Sequence, residues 1–236
     1  MLKVFYSYIK KLNLKLKKIF YSKGKPKEFI PYDWKKSNYN RIALINAVFC
    51  NLDFLNAKYL EIGCDKNYCF CSISALNKVG VDPLSGGTKR MTSNEFFAQN
   101  KELFDVILVD GLHSFVQSRR DAINALNCLK VGGYIFFHDF IPRDWKEEHV
   151  PRLQADWTGD VWKTAFELFE TGGIKFFIVE CDHGVGVVKK VEDAVDYPDL
   201  YNQLKDRGFE YFYEHYKELP IVDPAIAIKS IVNNKF

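Results

Sequence analysis

Residues 104–139 read FDVILVDGLHSFVQSRRDAINALNCLKVGGYIFFHD, and this stretch decides the fold of the chain. Two apolar runs rich in β-branched and aromatic residues are separated by an amphipathic helical pattern and a Gly-Gly turn. Continuous apolar strands on either side of a helix are typical of a parallel βαβ unit whose sheet is covered on both faces. The stretch therefore predicts a doubly wound α/β fold.

Each of the two predicted strands ends in an acid, Asp110 in the first and Asp139 in the second, and His113 and His138 stand nearby. Parallel strands lie about 4.8 Å apart with their carboxyl ends aligned, and ligands of open α/β sheets bind at that edge. The alternative is that each Asp only caps the turn or helix after it. We favour a chemical role because both strands end in the same way.

The size and composition of the chain indicate a folded, cytoplasmic protein. Of its 236 residues, 47% are apolar and 16% are aromatic, which is enough for a packed core. No apolar run approaches the length of about 18 residues that a membrane span needs, so none is predicted. Six cysteines lack paired metal-binding spacing and are expected to be reduced thiols.

The positive charge of the chain is confined to its N-terminal segment. The net charge is +3, but residues 1–27 contain nine lysines and no acid. Subtracting those nine charges leaves −6 for the rest of the chain. A general nucleic-acid binder is therefore excluded, because its folded body would be basic.

Residues 1–37 are predicted to form a basic amphipathic helix and a linker. Within residues 1–22, lysines separate apolar residues at helical spacing, namely Val4, Phe5, Tyr8, Ile9, Leu12, Leu16, Ile19 and Phe20. Such a helix could lie on the anionic inner face of a membrane as a peripheral contact. The alternative is that it packs on its own domain or on a second copy of the chain in a homo-oligomer.

The core domain is expected to span residues 38–192, and residues 193–236 are expected to form a C-terminal helical extension. Seven mostly parallel strands are predicted. Two lie in the opening stretch, and the other five are expected at residues 58–63, 78–82, 86–88, 174–180 and 184–188, of which 86–88 has a weak strand pattern. The Pro-broken segment 140–163 is long for a plain connection and is expected to be a lid over the site.

The first predicted strand runs into the turn Glu61-Ile62-Gly63-Cys64-Asp65. A glycine at the start of such a turn lets backbone N–H groups approach a ligand closely. Asp82 ends the next strand 21 residues after Glu61, which is the spacing at which an acid binds ribose hydroxyls in dinucleotide-type folds. Together these residues favour an adenosyl ligand.

A family resemblance rests on five segments, YLEIGC (59–64), VGVDP (79–83), TSNEFF (92–97), FDVILVDGLHSF (104–115) and GGYIFFHD (132–139). This set resembles the class I S-adenosylmethionine-dependent methyltransferases over about residues 57–190. It is most similar to the branch grouped with macrolide-sugar O-methyltransferases and cephalosporin-hydroxylase-like proteins. The resemblance implies a Rossmann-like methyltransferase fold with S-adenosylmethionine as the cofactor.

The resemblance also implies cofactor-binding roles for particular residues. Glu61 and Gly63, with Cys64 in the same turn, would flank the methionine end of the cofactor, and Asp82 would hold the ribose diol. Ser93 and Asn94 would lie against the adenine, and Asp110 beneath the sulfonium. The chain departs from the family pattern at three positions, where Asp65 and Asn67 replace the second and third glycines of the first turn and Asn94 replaces an acid.

A divalent metal is a further implication. In the macrolide-sugar enzymes, the equivalents of Asp110, His138 and Asp139 are carboxylates that hold magnesium. His138 departs from that pattern, and imidazole suits manganese, iron or zinc better than magnesium. The resemblance thus implies a divalent metal at these three residues, either the magnesium of the related enzymes or manganese, and the alternative is that no metal is used. The alternative for His138 is that strand alternation turns it to the face opposite Asp139.

His113 is the predicted catalytic base, acting together with Asp110. It stands at the start of a predicted helix, whose dipole disfavours the imidazolium, so it is expected to stay neutral. The alternative is a histidine whose ring only bonds the backbone at the helix terminus. His183, in the turn Asp182-His183-Gly184, is a reserve candidate, although that turn could be a plain connection.

The expected acceptor-binding residues lie in and near the stretch Trp157-Thr-Gly-Asp160-Val-Trp162-Lys163. Trp162 could stack on a sugar, and Arg152 or Lys163 could meet a phosphate or carboxylate. Asp160 belongs to the same predicted subsite. The alternative is that Asp160 is a helix N-cap and Trp162 lies in the core.

The sequence thus predicts an S-adenosylmethionine-dependent O-methyltransferase whose acceptor is a small hydroxylated molecule, a sugar or surface-glycan precursor. The rival within enzymes is a hydroxylase-like or hydrolytic protein on the same scaffold. The rival from another class is a membrane-associated binding protein that uses residues 1–22.

Overall fold

Seven strands form one sheet at the centre of the molecule, and the computed structural model describes the backbone of residues 2–234 and the side chains of residues 12–234. The strands are β1 (Lys58–Ile62), β2 (Asn77–Val81), β3 (Phe104–Val109), β4 (Leu129–Phe137), β5 (Ile174–Val179), β6 (Val185–Lys190) and β7 (Ile221–Val222). Their order across the sheet is β2-β1-β3-β4-β6-β5-β7. β6 runs antiparallel to both neighbours and the other pairings are parallel. The predicted seven-stranded, mostly parallel sheet is confirmed.

Helices cover both faces of this sheet. They are α1 (Leu2–Tyr21), α2 (Arg41–Phe49), α3 (Tyr68–Ser72), α4 (Ser93–Gln99), α5 (Phe115–Asn127), α6 (Trp145–Glu148), α7 (Trp162–Glu170), α8 (Tyr201–Leu204), α9 (Phe209–His215) and α10 (Pro224–Val232). Because side chains alternate along a strand, β3 sends Ile107 into the apolar cluster with α5 and α7, and Leu108 into the cluster with α2 and α10. Burial on both faces explains why the strand is continuously apolar.

The three central strands end at the same level. Ile62 of β1 is paired with Val109 of β3, and Val109 is paired with Phe137 of β4. Backbone hydrogen bonds continue one residue further, because the N–H of Asp110 donates to Ile62 at 2.8 Å and that of His138 to Val109 at 3.2 Å. The residues that follow these strands are therefore brought to one edge, as predicted.

The weak strand expected at residues 86–88 is absent from the described part of the chain, where Val81 and Lys89 form only a single bridge. Gly86 and Gly87 have φ values of +61° and +65°, which is left-handed backbone that a strand does not adopt. The seventh strand is β7, which pairs with β5 at the far edge. The C-terminal segment thus contributes a strand to the sheet in addition to its helices.

The chain between α1 and α2 is held on the domain. Ile30 is buried in the core, and its N–H donates to the carbonyl of Arg143 at 2.9 Å. Further along, the ring of Trp34 lies 4.5 Å from that of His183. This segment therefore forms a wall beside the carboxyl edge of the sheet, although its composition predicted a linker.

The apolar residues of α1 face solvent. Its exposed large apolar side chains, 46–78% accessible, are Leu12, Leu16, Ile19 and Phe20. The other predicted apolar positions, Val4, Phe5, Tyr8 and Ile9, lie outside the residues whose side chains are described. Across residues 2–234, no helix combines the length and the apolar character that crossing a membrane requires.

Candidate functional site

The two residues after β4 both turn toward Asp110. Regular alternation would place His138 and Asp139 on opposite faces, but Asp139 has a φ of +69°. This left-handed conformation is strained for a residue with a Cβ, and it breaks the alternation. His138 Nδ1 lies 3.3 Å from Asp110 Oδ1 and 3.2 Å from Asp139 Oδ2. The structure therefore rejects the alternative in which His138 faces away from Asp139.

His113, just before α5, closes the group from the other side. Its Nδ1 lies 3.1 Å from Asp139 Oδ2, and its Nε2 lies 3.7 Å from Asp110 Oδ1. The ring stacks on Trp157 with 4.9 Å between centroids, and Nδ1 is also 3.1 Å from the Trp157 carbonyl oxygen. The structure thus brings the predicted base between the two predicted carboxylates.

The neighbouring carboxylates oppose the effect that the helix terminus was expected to have on the pKa of His113. Burial disfavours its imidazolium, but the contact with Asp110 and the charge of Asp139 outweigh burial and raise the pKa of His113 above its ordinary value. Burial also disfavours the charge on His138, yet Asp139 and Asp110 raise its pKa well above the ordinary value. Two carboxylates in contact with a histidine affect its pKa more strongly than the partial charge of a helix N-terminus does.

Two further residues complete the group, and sequence reasoning assigned neither of them to it. Arg41 begins α2, and its Nη1 donates to Asp182 Oδ2 at 2.6 Å and lies 3.1 Å from His138 Nε2. Its Nε lies 3.5 Å from Asp110 Oδ2. Asp182 also accepts the backbone N–H of Arg41 at 3.1 Å, so it holds the start of α2 against the site.

The positive charges in this group lower the pKa of its acids. Burial favours the neutral form of Asp110, but the charge of His138 and the contact with His113 outweigh burial and hold the pKa of Asp110 well below the ordinary range. Burial likewise opposes the charge on Asp182, whose pKa is held well below the ordinary range by His138 and then by Arg41. Opposite charges in contact stabilise the ionised acids, so these carboxylates are available as anionic ligands at neutral pH.

Buried polar atoms without a partner concentrate at this edge. Among the described residues, seven buried side-chain nitrogen or oxygen atoms have no hydrogen-bond partner. Six of the seven belong to residues in or beside the site, namely Tyr32, Trp34, Arg41, Glu61, His138 and His183. Such atoms are rare in native proteins, and each requires an explanation. Their concentration here points to a polar ligand.

The first turn is closely packed against β3. Gly63 has a φ of +88°, and a Cβ there would lie 2.0 Å from the carbonyl oxygen of Asp110. Only glycine is therefore compatible with this position. Glu61, two residues earlier, is buried, and its Oε2 accepts a hydrogen bond from the Tyr59 hydroxyl at 2.6 Å. Burial raises the pKa of Glu61 above its ordinary value.

Asp82 joins two turns of the predicted cofactor site. Its carboxylate accepts four backbone N–H groups at 2.8–3.1 Å, those of Cys64, Asp65, Leu84 and Ser85. A carboxylate offers about four lone-pair positions, so all of them have donors here. Its contact with a ribose stays a prediction, and any ribose hydroxyl would share oxygens that already accept hydrogen bonds.

Ser93 and Asn94, the predicted adenine contacts, lie at the start of α4. Thr92 caps this helix through a capping box with Glu95. Gln117 of α5 donates to Ser93 Oγ at 3.1 Å and to Asn94 Oδ1 at 3.0 Å. Asn94 is exposed and Ser93 is half-buried, so both remain reachable from solvent, and their role stays a prediction.

The structure does not bring the expected acceptor-binding residues to the site. Trp162 is fully buried, and its Nε1 donates to Glu148 Oε2 at 2.9 Å. The buried Lys163 is paired with Asp160 at 3.0 Å. Asp160 accepts the Phe115 N–H at 2.7 Å, so it caps α5 rather than its own helix. The burial of Trp162 matches the alternative in which this side chain lies in the core, whereas Asp160 caps a different helix from the one expected.

Arg152 is an exposed residue of the same predicted subsite. It donates to the backbone carbonyls of Gln154 and Ala155, and its guanidinium lies 5.6 Å from the ring centre of Trp157. The stack of His113 and Arg152 on Trp157 connects the predicted lid to the site.

The donor set fits a divalent metal. Asp110, His113 and Asp139 each offer a ligand atom, and these atoms lie within 4.8 Å of one another. His138 Nδ1 is buried, has no hydrogen-bond partner, and lies within 3.3 Å of both carboxylates. Two carboxylates with imidazole suit manganese, iron or zinc better than magnesium, which prefers oxygen ligands alone.

Comparison with known families identifies part of this chain. Residues 74–140 match the family model described as a methyltransferase domain. This segment contains Asp82, Asp110, His113, His138 and Asp139, whereas the edge residues Arg41, Glu61 and Asp182 lie outside it. Over these residues the chain is similar to a methyltransferase domain, and the predicted resemblance is confirmed there. No curated protein matches the chain significantly.

Several solved structures are similar to parts of this chain. The SAH-bound methyltransferase of Podospora anserina shows 16% identity and a TM-score of 0.45 over 62% of this chain and 76% of that one. The MycE methyltransferase of the mycinamycin biosynthetic pathway, in complex with Mg and SAH, shows 15% identity and a TM-score of 0.42 over 63% and 48%. The O-methyltransferase of Bacillus cereus in complex with SAH shows 13% identity and a TM-score of 0.43 over 69% and 84%.

Proposed function

We propose that this chain, which matches a methyltransferase-domain model at residues 74–140, transfers a methyl group from S-adenosylmethionine to a hydroxyl oxygen of a small acceptor. The observation that carries the proposal is the convergence of Asp110, His113 and Asp139 within 4.8 Å. They lie at the carboxyl edge of the sheet, beside the tight turn at Gly63 and inside the matched segment. An acceptor hydroxyl at this place would meet both a proton acceptor and a cation-binding group.

The residues of the first turn fit the cofactor. Glu61 Oε1 is buried without a partner, and it is the acceptor that the ammonium group of a methionine moiety requires. The close packing of Gly63 on Asp110 leaves no side chain between the turn and β3. S-adenosylmethionine, when bound, supplies the methyl group as an electrophile on its sulfonium.

The chain's own residues align the acceptor and remove its proton. His113 is held by Asp139 on one ring nitrogen and stands 3.7 Å from Asp110 on the other. Once it has lost its own proton, it can accept the proton of the acceptor hydroxyl. The stack on Trp157 fixes the plane of the ring, and such fixed orientation is a large part of catalytic rate enhancement.

A divalent metal fits this arrangement, and Asp110, Asp139 and one or both histidines would hold it. Such an ion would lower the pKa of a bound acceptor hydroxyl. An acceptor with neighbouring hydroxyls, such as a sugar or a catechol, could chelate the ion. The resemblance to the macrolide-sugar branch favours a sugar or surface-glycan precursor as the acceptor class.

The function is tested by calorimetry with S-adenosylhomocysteine on the full chain, followed by transfer of labelled methyl groups to a panel of nucleotide sugars and catechols. We expect binding of the nucleoside product and labelling of a hydroxylated acceptor. A chain that binds no S-adenosylhomocysteine would refute the proposal. That result would favour a hydroxylase-like or hydrolytic enzyme on the same scaffold.

The exposed face of α1 supports a peripheral contact of this enzyme with an anionic membrane. Leu12, Leu16, Ile19 and Phe20 form one stripe, because their spacing places them within about 100° around a helix. Lys15 and Lys17 flank this stripe on either side and are exposed. Tyr21 lies on the opposite side, with its ring 4.6 Å from His149. A helix docked on its domain while its apolar stripe faces outward suits a membrane surface.

Six cysteines within the described residues are all free thiols, which supports a cytoplasmic location for the enzyme. The membrane contact would then be with the inner face, whose anionic lipids attract lysines. The alternative is that a second copy of the chain packs on the same stripe in a homo-oligomer.

A further inference from the structure

The face of α1 opposite its apolar stripe contacts the irregular segment 149–159, which lies between α6 and α7 within the predicted lid. The ring of Tyr21 lies 4.6 Å from that of His149, and Lys18 Nζ donates to Gln154 Oε1 at 3.2 Å. Lys18 and Tyr21 are three residues apart, so they lie on the same side of the helix. α1 is therefore docked on this segment, which we name the strap.

The strap in turn contacts the predicted base. Trp157 Nε1 donates to the carbonyl of His149 at 2.8 Å, and the Trp157 ring stacks on His113 with 4.9 Å between centroids. Gly159 packs so closely that a Cβ there would lie 2.0 Å from the carbonyl oxygen of His113. Direct contacts therefore connect Tyr21 to His113 through the strap.

Side chains hold the first part of the strap. Within the described chain, no backbone N–H of residues 150–157 donates to a backbone carbonyl, whereas those of Thr158 and Gly159 donate to Glu147 at 3.0 and 3.1 Å. Segments with few such bonds open locally at a low cost in free energy. The contacts from α1 thus act where the strap is least constrained by its own backbone.

α1 gains little stability from its own domain. Its stripe of Leu12, Leu16, Ile19 and Phe20 is exposed, and its first turn contains no acid to compensate the helix dipole. Helices in proteins are stabilised mainly by the packing of an apolar face. A partner that buries the stripe would therefore stabilise α1 and, with it, the side of the helix that contacts the strap.

We propose that Lys18 and Tyr21 are positioning residues for His113, and that an anionic membrane bound to the stripe stabilises the strap in the arrangement that orients this base. Residues 1–27 contain nine lysines and no acid. Such a segment attracts anionic lipid and repels a second copy of itself. The inference rests on the proposed function and adds to it a regulation of the site by the membrane surface.

Hydrogen exchange of the full chain, measured by mass spectrometry with and without vesicles of equal parts phosphatidylglycerol and phosphatidylcholine, tests the inference. Peptides covering residues 112–118 report on the turn of His113, and peptides covering 149–161 report on the strap. We expect vesicles to slow exchange in both by about 2- to 10-fold, the range for one aromatic contact. Tyr21→Ala should still bind the vesicles, because Tyr21 lies outside the stripe, but should show no slowing in either region.

Tyr21→Phe is the matched control, because it retains the ring that contacts His149, and it should behave as the wild type. Slowing that persists in Tyr21→Ala would overturn the inference, because the lipid would then only shield the strap. Loss of vesicle binding in Tyr21→Ala would also overturn it, because Tyr21 would then belong to the membrane face.

The wild type alone provides a test that does not depend on the folding of any variant. Vesicle binding with unchanged exchange at residues 112–118 would overturn the inference, and so would a wild type that binds no vesicles. Calorimetry with S-adenosylhomocysteine on the same preparation separates these outcomes from failure of the proposed function. A chain that binds this nucleoside keeps the proposed function whatever the vesicles do, and a chain that does not bind it refutes that function.

Discussion

His138 Nδ1 lies 3.2 Å from Oδ2 of Asp139, although the two residues are consecutive at the end of a strand. The contact exists because Asp139 leaves the β region and adopts a φ of +69°. Backbone strain of this kind costs on the order of 1–3 kcal/mol and persists where the surroundings impose it. Here the strain places a carboxylate and an imidazole on the same side, next to Asp110.

The first prediction concerns the metal. Excess Mn²⁺ should raise the melting temperature of the wild type by several degrees, because a ligand at 100 times its Kd stabilises by about 2.7 kcal/mol. EDTA should reverse the increase. Asp139→Asn should abolish it, since a carboxylate ligand is removed. Asp105→Asn is the control, because Asp105 lies at the opposite end of β3 and pairs with Lys130 at 2.8 Å. An equal Mn²⁺ effect in Asp139→Asn would rule out this site.

The second prediction concerns the base. His113→Ala should lower kcat for methyl transfer by about 100-fold or more, because a positioned base contributes 10²–10⁴-fold. Calorimetry should show nearly unchanged affinity for S-adenosylhomocysteine. His215→Ala, which removes a half-buried histidine paired with Glu218 at 2.9 Å, should retain full activity. Wild-type turnover in His113→Ala would exclude the assignment.

The convergence of Asp110 and Asp139 could be predicted, because two apolar runs with a helix between them imply parallel strands with aligned ends. The place of Arg41 could not, because nothing local relates the start of α2 to a turn 141 residues further along. Trp162 was ambiguous for another reason. A tryptophan near a helix start suits a binding wall or a core, and only the partner elements α6 and α9 decide between them.

The third prediction follows from this burial of Trp162. Trp162→Ala should destabilise the fold by about 3–5 kcal/mol, as removal of a buried aromatic side chain does. Urea denaturation would measure the loss. Affinity for S-adenosylhomocysteine, measured below the transition, should be nearly unchanged. Arg152→Ala is the control for an exposed residue of the same segment and should change the stability by about 0.5 kcal/mol or less. If the Trp162→Ala variant is stable and has a raised KM for its acceptor, Trp162 binds the acceptor after all.

The fourth prediction is a pH dependence of stability. Burial raises the pKa of Glu148 to about 7, even though Trp162 donates a hydrogen bond to it. The folded state therefore retains this proton at pH values where the unfolded state has lost it, and stability falls as pH rises. The contribution is fully present below the unfolded pKa of about 4.3 and is lost by about pH 7, at a cost of roughly 3 kcal/mol.

Urea denaturation of the wild type and Glu148→Gln between pH 4 and 8 isolates this contribution. The stability of the wild type relative to the variant should decrease by that amount as pH rises. Glu218→Gln, an exposed change, should show no such trend. A difference between wild type and Glu148→Gln that is independent of pH would contradict the shifted pKa.

The fifth prediction concerns the stripe on α1. The full chain should bind vesicles of equal parts phosphatidylglycerol and phosphatidylcholine, and added salt should weaken the binding because lysines contribute to it. Leu16→Glu combined with Phe20→Glu should weaken it by about 100-fold or more, since burial of each side chain contributes about 1.5–3 kcal/mol. Co-sedimentation measures both effects.

Leu55→Glu combined with Leu84→Glu is the matched control for this stripe. These leucines are as exposed as Leu16 and Phe20, at 68% and 89%, but they belong to the turns before β1 and after β2 and not to the stripe on α1, so vesicle binding should not change. Vesicle binding that survives the double change on α1 would exclude the stripe as the contact. If light scattering instead shows a dimer that the same double change dissociates, a second copy of the chain occupies the stripe. Because Tyr21, on the opposite side of α1, packs on His149, the helix would connect either occupant to the segment that holds Trp157 against His113.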